Sequence, residues 1–76
     1  MDQIKIGKFI SELRKEKGMT QEQLAVKLGV TQKSVSRWET GKNMPDLSLL
    51  QLLSAELGIS VSELLDGEKI STVENK

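Results

Sequence analysis

Residues 21–40 read QEQLAVKLGVTQKSVSRWET, two short amphipathic segments that meet at a glycine. Leu24, Ala25 and Leu28 share one helical face, and Thr20 with Gln23 three residues later has the pattern of a capping box. A helix over 21–28 is expected, ended by Gly29, which adopts positive φ at low cost. Thr31 offers the next N-cap. Val35 and Trp38 then repeat at i, i+3, which predicts a second helix over 32–40 that stops at Gly41. Two helices joined by about four residues that include glycine have the general form of a helix-turn-helix. Ala25 is small where the two helices cross, and Val30 is the apolar plug of the turn. With Val35 and Trp38 turned inward, Gln32, Lys33, Ser36 and Arg37 are left on an outer face that is polar and cationic.

Upstream, Ile6, Phe9, Ile10 and Leu13 fall at i, i+3, i+4, i+7, one face of a helix that closes at Gly18. Downstream, Pro45 forbids a continuous helix, and Asp46 is an N-cap for a segment over 47–57 that ends at Gly58. In that segment Leu47, Leu50, Leu53 and Leu57 suffice for the core. Leu49 and Leu52 are surplus, which points to a protein interface; the alternative is a core helix wrapped on more sides than usual. Ser60 with Glu63 is another capping box, opening a last helix through Leu64 and Leu65 to Gly67. The expected fold is all-α, a compact bundle of five short helices in which the second and third form the helix-turn-helix. Residues 1–66 are read as one domain and residues 67–76 as a flexible C-terminal tail or linker stub.

The chain has 76 residues, enough for one domain with a modest core. It contains no Cys and no His, which excludes disulfides, zinc sites of the usual ligand types and Ser/His or Cys/His nucleophile arrangements. No metal, cofactor or enzymatic activity is expected. No apolar run has the length of a membrane span, the start lacks the layout of a signal peptide, and a reducing cytoplasm fits best. The formal net charge of zero hides a segregation. Residues 1–43 carry nine basic side chains against five acidic, a net +4, and the remainder carries two against six, a net −4. Such a field can present a basic face to a polyanion; the alternative is solvated surface charge without a partner.

Met19-Thr20-Gln21, Gly29-Val30-Thr31-Gln32, Ser36-Arg37-Trp38-Glu39-Thr40-Gly41-Lys42 and Pro45 together resemble the Cro/C1-type (XRE) family of helix-turn-helix regulators. The resemblance spans roughly residues 6 to 66 and departs at Ser54, where the family often has Ala. It implies a lambda-repressor-like domain whose third helix enters the major groove of double-stranded DNA. On that reading Gln32, Lys33 and Arg37 contact base edges. Gln suits the acceptor and donor of adenine and Lys or Arg the acceptors of guanine, each good pair giving about 1 to 3 kcal/mol of discrimination. The resemblance also implies that Gln21 holds a phosphate and that Thr40, Lys42 and Asn43 lie along the DNA backbone, with Gly41 letting the loop come close. Ser34 and Ser36 are further backbone-contact candidates, or plain helix surface. Glu39 sits in the last turn of its helix, where an acid is disfavoured by the helix dipole and would repel phosphates. The family position at Arg14 implies an ion pair that compensates it.

The expected partners are double-stranded DNA and a second copy of the chain. One recognition helix gives limited affinity, and a homodimer on a palindrome multiplies it, with half-site centres about 34 to 36 Å apart or a multiple of that. The expected activity is repression by occupying a promoter. The competing reading is a protein-interaction module, such as an antitoxin bound to its toxin through the last two helices.

Overall fold

A computed structural model of the chain describes residues 2–69 and places five α-helices among them. They are α1 (Gln3–Glu16), α2 (Gln21–Leu28), α3 (Gln32–Glu39), α4 (Leu47–Leu57) and α5 (Val61–Asp66). The described residues contain no strand, and none of their helices is long and apolar enough to cross a membrane.

Each helix begins on a side-chain oxygen that accepts backbone N–H groups the helix itself cannot satisfy. Thr20 and Gln23 close a reciprocal capping box on α2, and Ser60 and Glu63 close another on α5. Thr31 accepts from the Ser34 N–H to start α3, and Asp46 accepts from the Leu49 N–H to start α4. Asp2 caps α1 by accepting from Ile4 and Lys5, a start that the apolar periodicity leaves undefined. Gly29 lies at φ 72°, and the N–H of Val30 reaches back to the Ala25 carbonyl, so the chain leaves α2 at the angle that α3 needs.

Ile6, Ile10 and Leu13 of α1 meet Leu24 and Ala25 of α2 and Val35 of α3 in a core where each is at most 2% exposed. Leu50, Leu53 and Leu57 of α4 and Leu64 of α5 complete it. In this arrangement α3 lies against both α1 and α2, which hold it from behind. The expectation for α4 needs correction at its first turn. Leu47, expected in the core, is 67% exposed, whereas Leu49, expected among the surplus, packs partly against the core. Both flank the inward stripe of Leu50, Leu53 and Leu57, on opposite sides. Leu47 stands at the open end of the helix beside its cap, and Leu49 faces the bundle. Leu52 is 53% exposed on the far side, as surplus should be. Ser54 is buried with its hydroxyl donating to the Gln51 carbonyl, so the departure from Ala leaves no unsatisfied proton.

Residues 67–69, which open the expected tail, lie against α1. Lys5 Nζ is 2.8 Å from a Glu68 carboxylate oxygen, and Lys69 Nζ is 3.4 Å from one of Glu16. The rest of the expected tail, 70–76, falls outside the described residues.

Gly7 marks the tightest crossing. It is buried on the side of α1 that faces the end of α3, and an added Cβ would be driven into the Trp38 carbonyl oxygen and lie 2.9 Å from the Glu39 carbonyl. Neither is a side chain that can swing aside. Gly7→Ala is therefore expected to destabilise the fold by about 3 kcal/mol, the upper part of the overpacking range, in spite of alanine's better helix propensity. Urea denaturation measures it, and an unchanged or raised midpoint would contradict the close crossing.

The Asp46 carboxyl is held below its ordinary value of 3.8, first by the Leu49 N–H and then by the Ser48 hydroxyl. Its contribution is fully present above that value and is lost as pH falls through the lower folded one. Asn also caps helices but does not titrate. The gap in urea midpoint between the parent and Asp46→Asn should thus be widest at neutral pH and narrow in acid; a constant gap would argue against a charged cap.

Candidate nucleic-acid interface

The eight residues of α3 divide cleanly by face. Val35 and Trp38 are buried, at 0% and 5% exposure. Residues 32, 33, 36 and 37 stand at i, i+1, i+4, i+5, the pattern of a single outward face. Gln32, Lys33 and Arg37 are exposed there, and among the described residues no side-chain hydrogen bond or ion pair occupies any of the three. A row of donors without intramolecular partners, carried on a short rigid rod, is suited to read an external set of acceptors. Ser36 is half-buried beside them. Ser34, also half-buried, is turned back toward the start of the helix, its hydroxyl 3.1 Å from that of Thr31.

The loop after α3 supplies Lys42 and Asn43, both exposed and both without intramolecular side-chain partners among the described residues. Thr40 and Gly41 of this loop also contact the domain itself. The Thr40 hydroxyl donates to the Ser36 carbonyl at 2.9 Å, with the Arg37 carbonyl at 3.3 Å, and its N–H also reaches Ser36. Both donors close the end of α3, where helix carbonyls lack partners. Gly41 has φ 77°, and a Cβ there would lie 2.9 Å from Cγ1 of Ile4. The space that its missing side chain leaves is taken up by α1, so the glycine seats the loop on the domain.

Behind the outward face lies a buried polar knot. Arg14 Nε is 2.7 Å from Glu39 Oε2 and Nη2 is 3.1 Å from Oε1, a two-pronged pair whose side chains are only 10% and 6% exposed. The remaining prong, Nη1, donates to the Met19 carbonyl at 2.7 Å, in the turn between α1 and α2. Gln21 joins through Nε2, which donates to Glu39 Oε1 at 2.9 Å. The acid in the last turn of α3 is thus neutralised at short range, and the guanidinium's planar fork matches the carboxylate. The pair ties α1, the α1–α2 turn, α2 and α3 together at one point. Sequence reasoning missed the close approach at Gly7, the Met19 carbonyl and the Gln21 bond to Glu39. Gly7 had a signal, a glycine inside an amphipathic helix, but the Met19 carbonyl had none, because a backbone oxygen leaves no trace in residue type.

Lys33 and Arg37 of α3 and Lys42 of the following loop are in no ion pair among the described residues, and neither are Lys8, Lys15 and Lys17 of α1. By contrast Lys5, Lys27 and Lys69 each stand within 4.0 Å of an acid on the flanks of the domain. The described residues hold no group of three or more acidic side chains placed to bind a metal. Two concavities, of about 560 and 520 Å³, are lined around Val26 on α2 and around Ile4 and Gly41, and neither is lined by a residue of α3.

Comparison with known proteins adds the family. A helix-turn-helix family model matches residues 10–64. The transcriptional activator BcrR of Enterococcus faecalis is 39% identical over 64 residues, which is 84% of this chain and 31% of BcrR. The chain therefore spans about a third of that relative's length. Among solved structures, the DNA-binding domain of the P22 C2 repressor superposes with a TM-score of 0.80 at 30% identity, covering 95% of each chain. SinR, a master regulator of biofilm formation solved in complex with DNA, has a TM-score of 0.74 and 40% identity over 80% of this chain and 98% of its own.

Removal of Arg14 leaves a buried carboxylate without its counter-ion. Arg14→Ala is expected to lower stability by about 3–5 kcal/mol. The Arg14→Met/Glu39→Met double variant, which removes both charges and keeps the volume, should recover most of that loss. Thermal and urea melts measure both, and a single variant as stable as the parent would contradict a structural role for the pair.

Proposed function

The chain belongs to the Cro/C1-type helix-turn-helix family, a family of transcriptional regulators rather than enzymes, and on that premise we propose that it binds double-stranded DNA sequence-specifically and represses transcription by occupying a promoter. The observation that carries the reading is the outward face of α3, where Gln32, Lys33 and Arg37 stand exposed without intramolecular partners. In the major groove these three take the base edges, Gln32 suiting adenine and the two cations guanine. Gln21, Lys42 and Asn43 take phosphates on the two flanks of the groove, with Ser34 and Ser36 at its wall. Thr40 acts through the loop, which its hydroxyl fastens to the end of α3.

The active form in this proposal is a homodimer on a palindromic operator, in the cytoplasm. Leu52, with the half-buried Leu49 beside it, offers an apolar surface on α4 for the second copy. Residues 1–66 are the DNA-binding unit and 67–76 an extension of it. Repression is supported by the likeness to the P22 C2 repressor domain over 95% of the chain.

Selection of bound sites from random duplexes, followed by titration at several salt concentrations, tests the proposal. Affinity for the selected duplex should fall steeply with salt, and the selected site should be two-fold symmetric. Lys42→Ala should weaken binding to all duplexes alike and reduce the salt slope by about 1, whereas the triple variant Gln32→Ala/Lys33→Ala/Arg37→Ala should lose the preference for the selected site. A triple variant that kept the parent's preference would refute base reading by α3. Tight binding to a protein partner, with no affinity for any duplex, would favour the antitoxin-like reading.

A further inference from the structure

The Glu39 carboxylate does more than an ion pair needs. Arg14 alone engages both of its oxygens, yet Oε1 accepts a further hydrogen bond from the Gln21 amide, across 18 positions of sequence. The carboxylate is 6% exposed and Gln21 half-buried, so this bond lies at the boundary between the core and the proposed DNA-facing side. A glutamine amide has two N–H donors, and with one held on a buried anion the orientations open to the whole group are restricted. The second N–H and the carbonyl oxygen have no intramolecular partner among the described residues.

We infer that Glu39 is a positioning residue for the DNA backbone: its Oε1 anchors one N–H of Gln21 so that the other is presented, already oriented, to a phosphate. The inference rests on the proposed DNA binding and adds a mechanism to it. A free glutamine on a helix surface samples many rotamers and loses that freedom on binding, whereas an anchored one loses little. Because Glu39 is the last residue of α3, the anchor also joins the phosphate donor on α2 to the helix that reads bases. The two contacts are held at a set spacing, and a shift of α3 in the groove carries the phosphate donor with it. Arg14 makes the device tolerable near a polyanion, since it cancels the carboxylate's charge from inside the fold.

A double-mutant cycle tests this, with affinity for the selected duplex as the readout and far-UV circular dichroism as the check that each variant is folded. Gln21→Ala should weaken binding of the parent by about tenfold. In the Arg14→Met/Glu39→Met background, where the anchor is gone, the same substitution should cost less than about twofold. Equal losses in both backgrounds would overturn the inference. So would a Gln21→Ala variant that melts earlier but binds as well as the parent, since that is the behaviour of a merely structural brace. A second measurement needs no variant. In nitrogen-15 spectra of the free parent, one Gln21 side-chain amide proton should exchange slowly with solvent, and the other should shift when duplex is added. Two freely exchanging protons would overturn the anchor. A parent that binds no duplex overturns this inference together with the proposed function, whereas equal losses in a parent that does bind overturn the inference alone.

Discussion

The buried pair of Arg14 and Glu39 is the constraint on which the rest of the arrangement depends. A carboxylate at the C-terminal end of a helix is opposed by the helix dipole, and burial would cost more still if it stood alone. Arg14 satisfies it with two prongs and uses the third on the Met19 carbonyl. One guanidinium thereby sets the exit from α1, the entry to α2 and the far end of α3. An apolar contact of the same area would stabilise without direction. Charge-assisted hydrogen bonds act only in a narrow geometry, so this pair specifies where α3 ends as well as that it is held.

That geometry determines what α3 can present. Its inner face has only Val35 and Trp38, too little to hold eight residues by packing alone, and the helix relies on α1 and α2 behind it. Gly7 lets the α1 backbone come up to the Trp38 and Glu39 carbonyls, and Gly41 lets the following loop settle on Ile4. With its back and its end both fastened, α3 can leave Gln32, Lys33 and Arg37 without internal partners. Donors left unpaired on a rigid support cost little while they face water, and in the proposed function they meet base edges when water is displaced. The zero net charge of the chain does not oppose this, because Lys33, Arg37 and Lys42 have no ion-pair partner among the described residues, whereas Lys5, Lys27 and Lys69 do.

Local chemistry made the helices legible in the sequence. Threonine, serine and aspartate caps, with glycines at the ends, marked α2 to α5 to within a residue, and the Cro/C1 resemblance pointed to the face of α3. What escaped were facts about direction in space. Leu47 and Leu49 look alike in a one-dimensional pattern, and only the seating of α4 on the bundle decides which is covered. Thr40 reads as a surface hydroxyl until the unpaired carbonyls at the end of α3 claim it. Gly41 reads as a loop glycine, and its missing side chain also leaves room for Ile4, 37 positions earlier in the chain. The third bond to Glu39, from Gln21, likewise depends on a crossing that residue spacing does not encode.

In the proposed function one face of this fold, built on α3 and braced by the Arg14–Glu39 pair, meets DNA. The most direct measurement is a nitrogen-15 NMR titration of the chain with a duplex selected for tight binding. The account predicts that the largest shifts map to Gln21, to residues 32–37 and to Lys42 and Asn43, while the outer face of α2 around Val26 stays unmoved. Shifts centred on Val26 or on α5, with residues 32–37 unchanged, would contradict it.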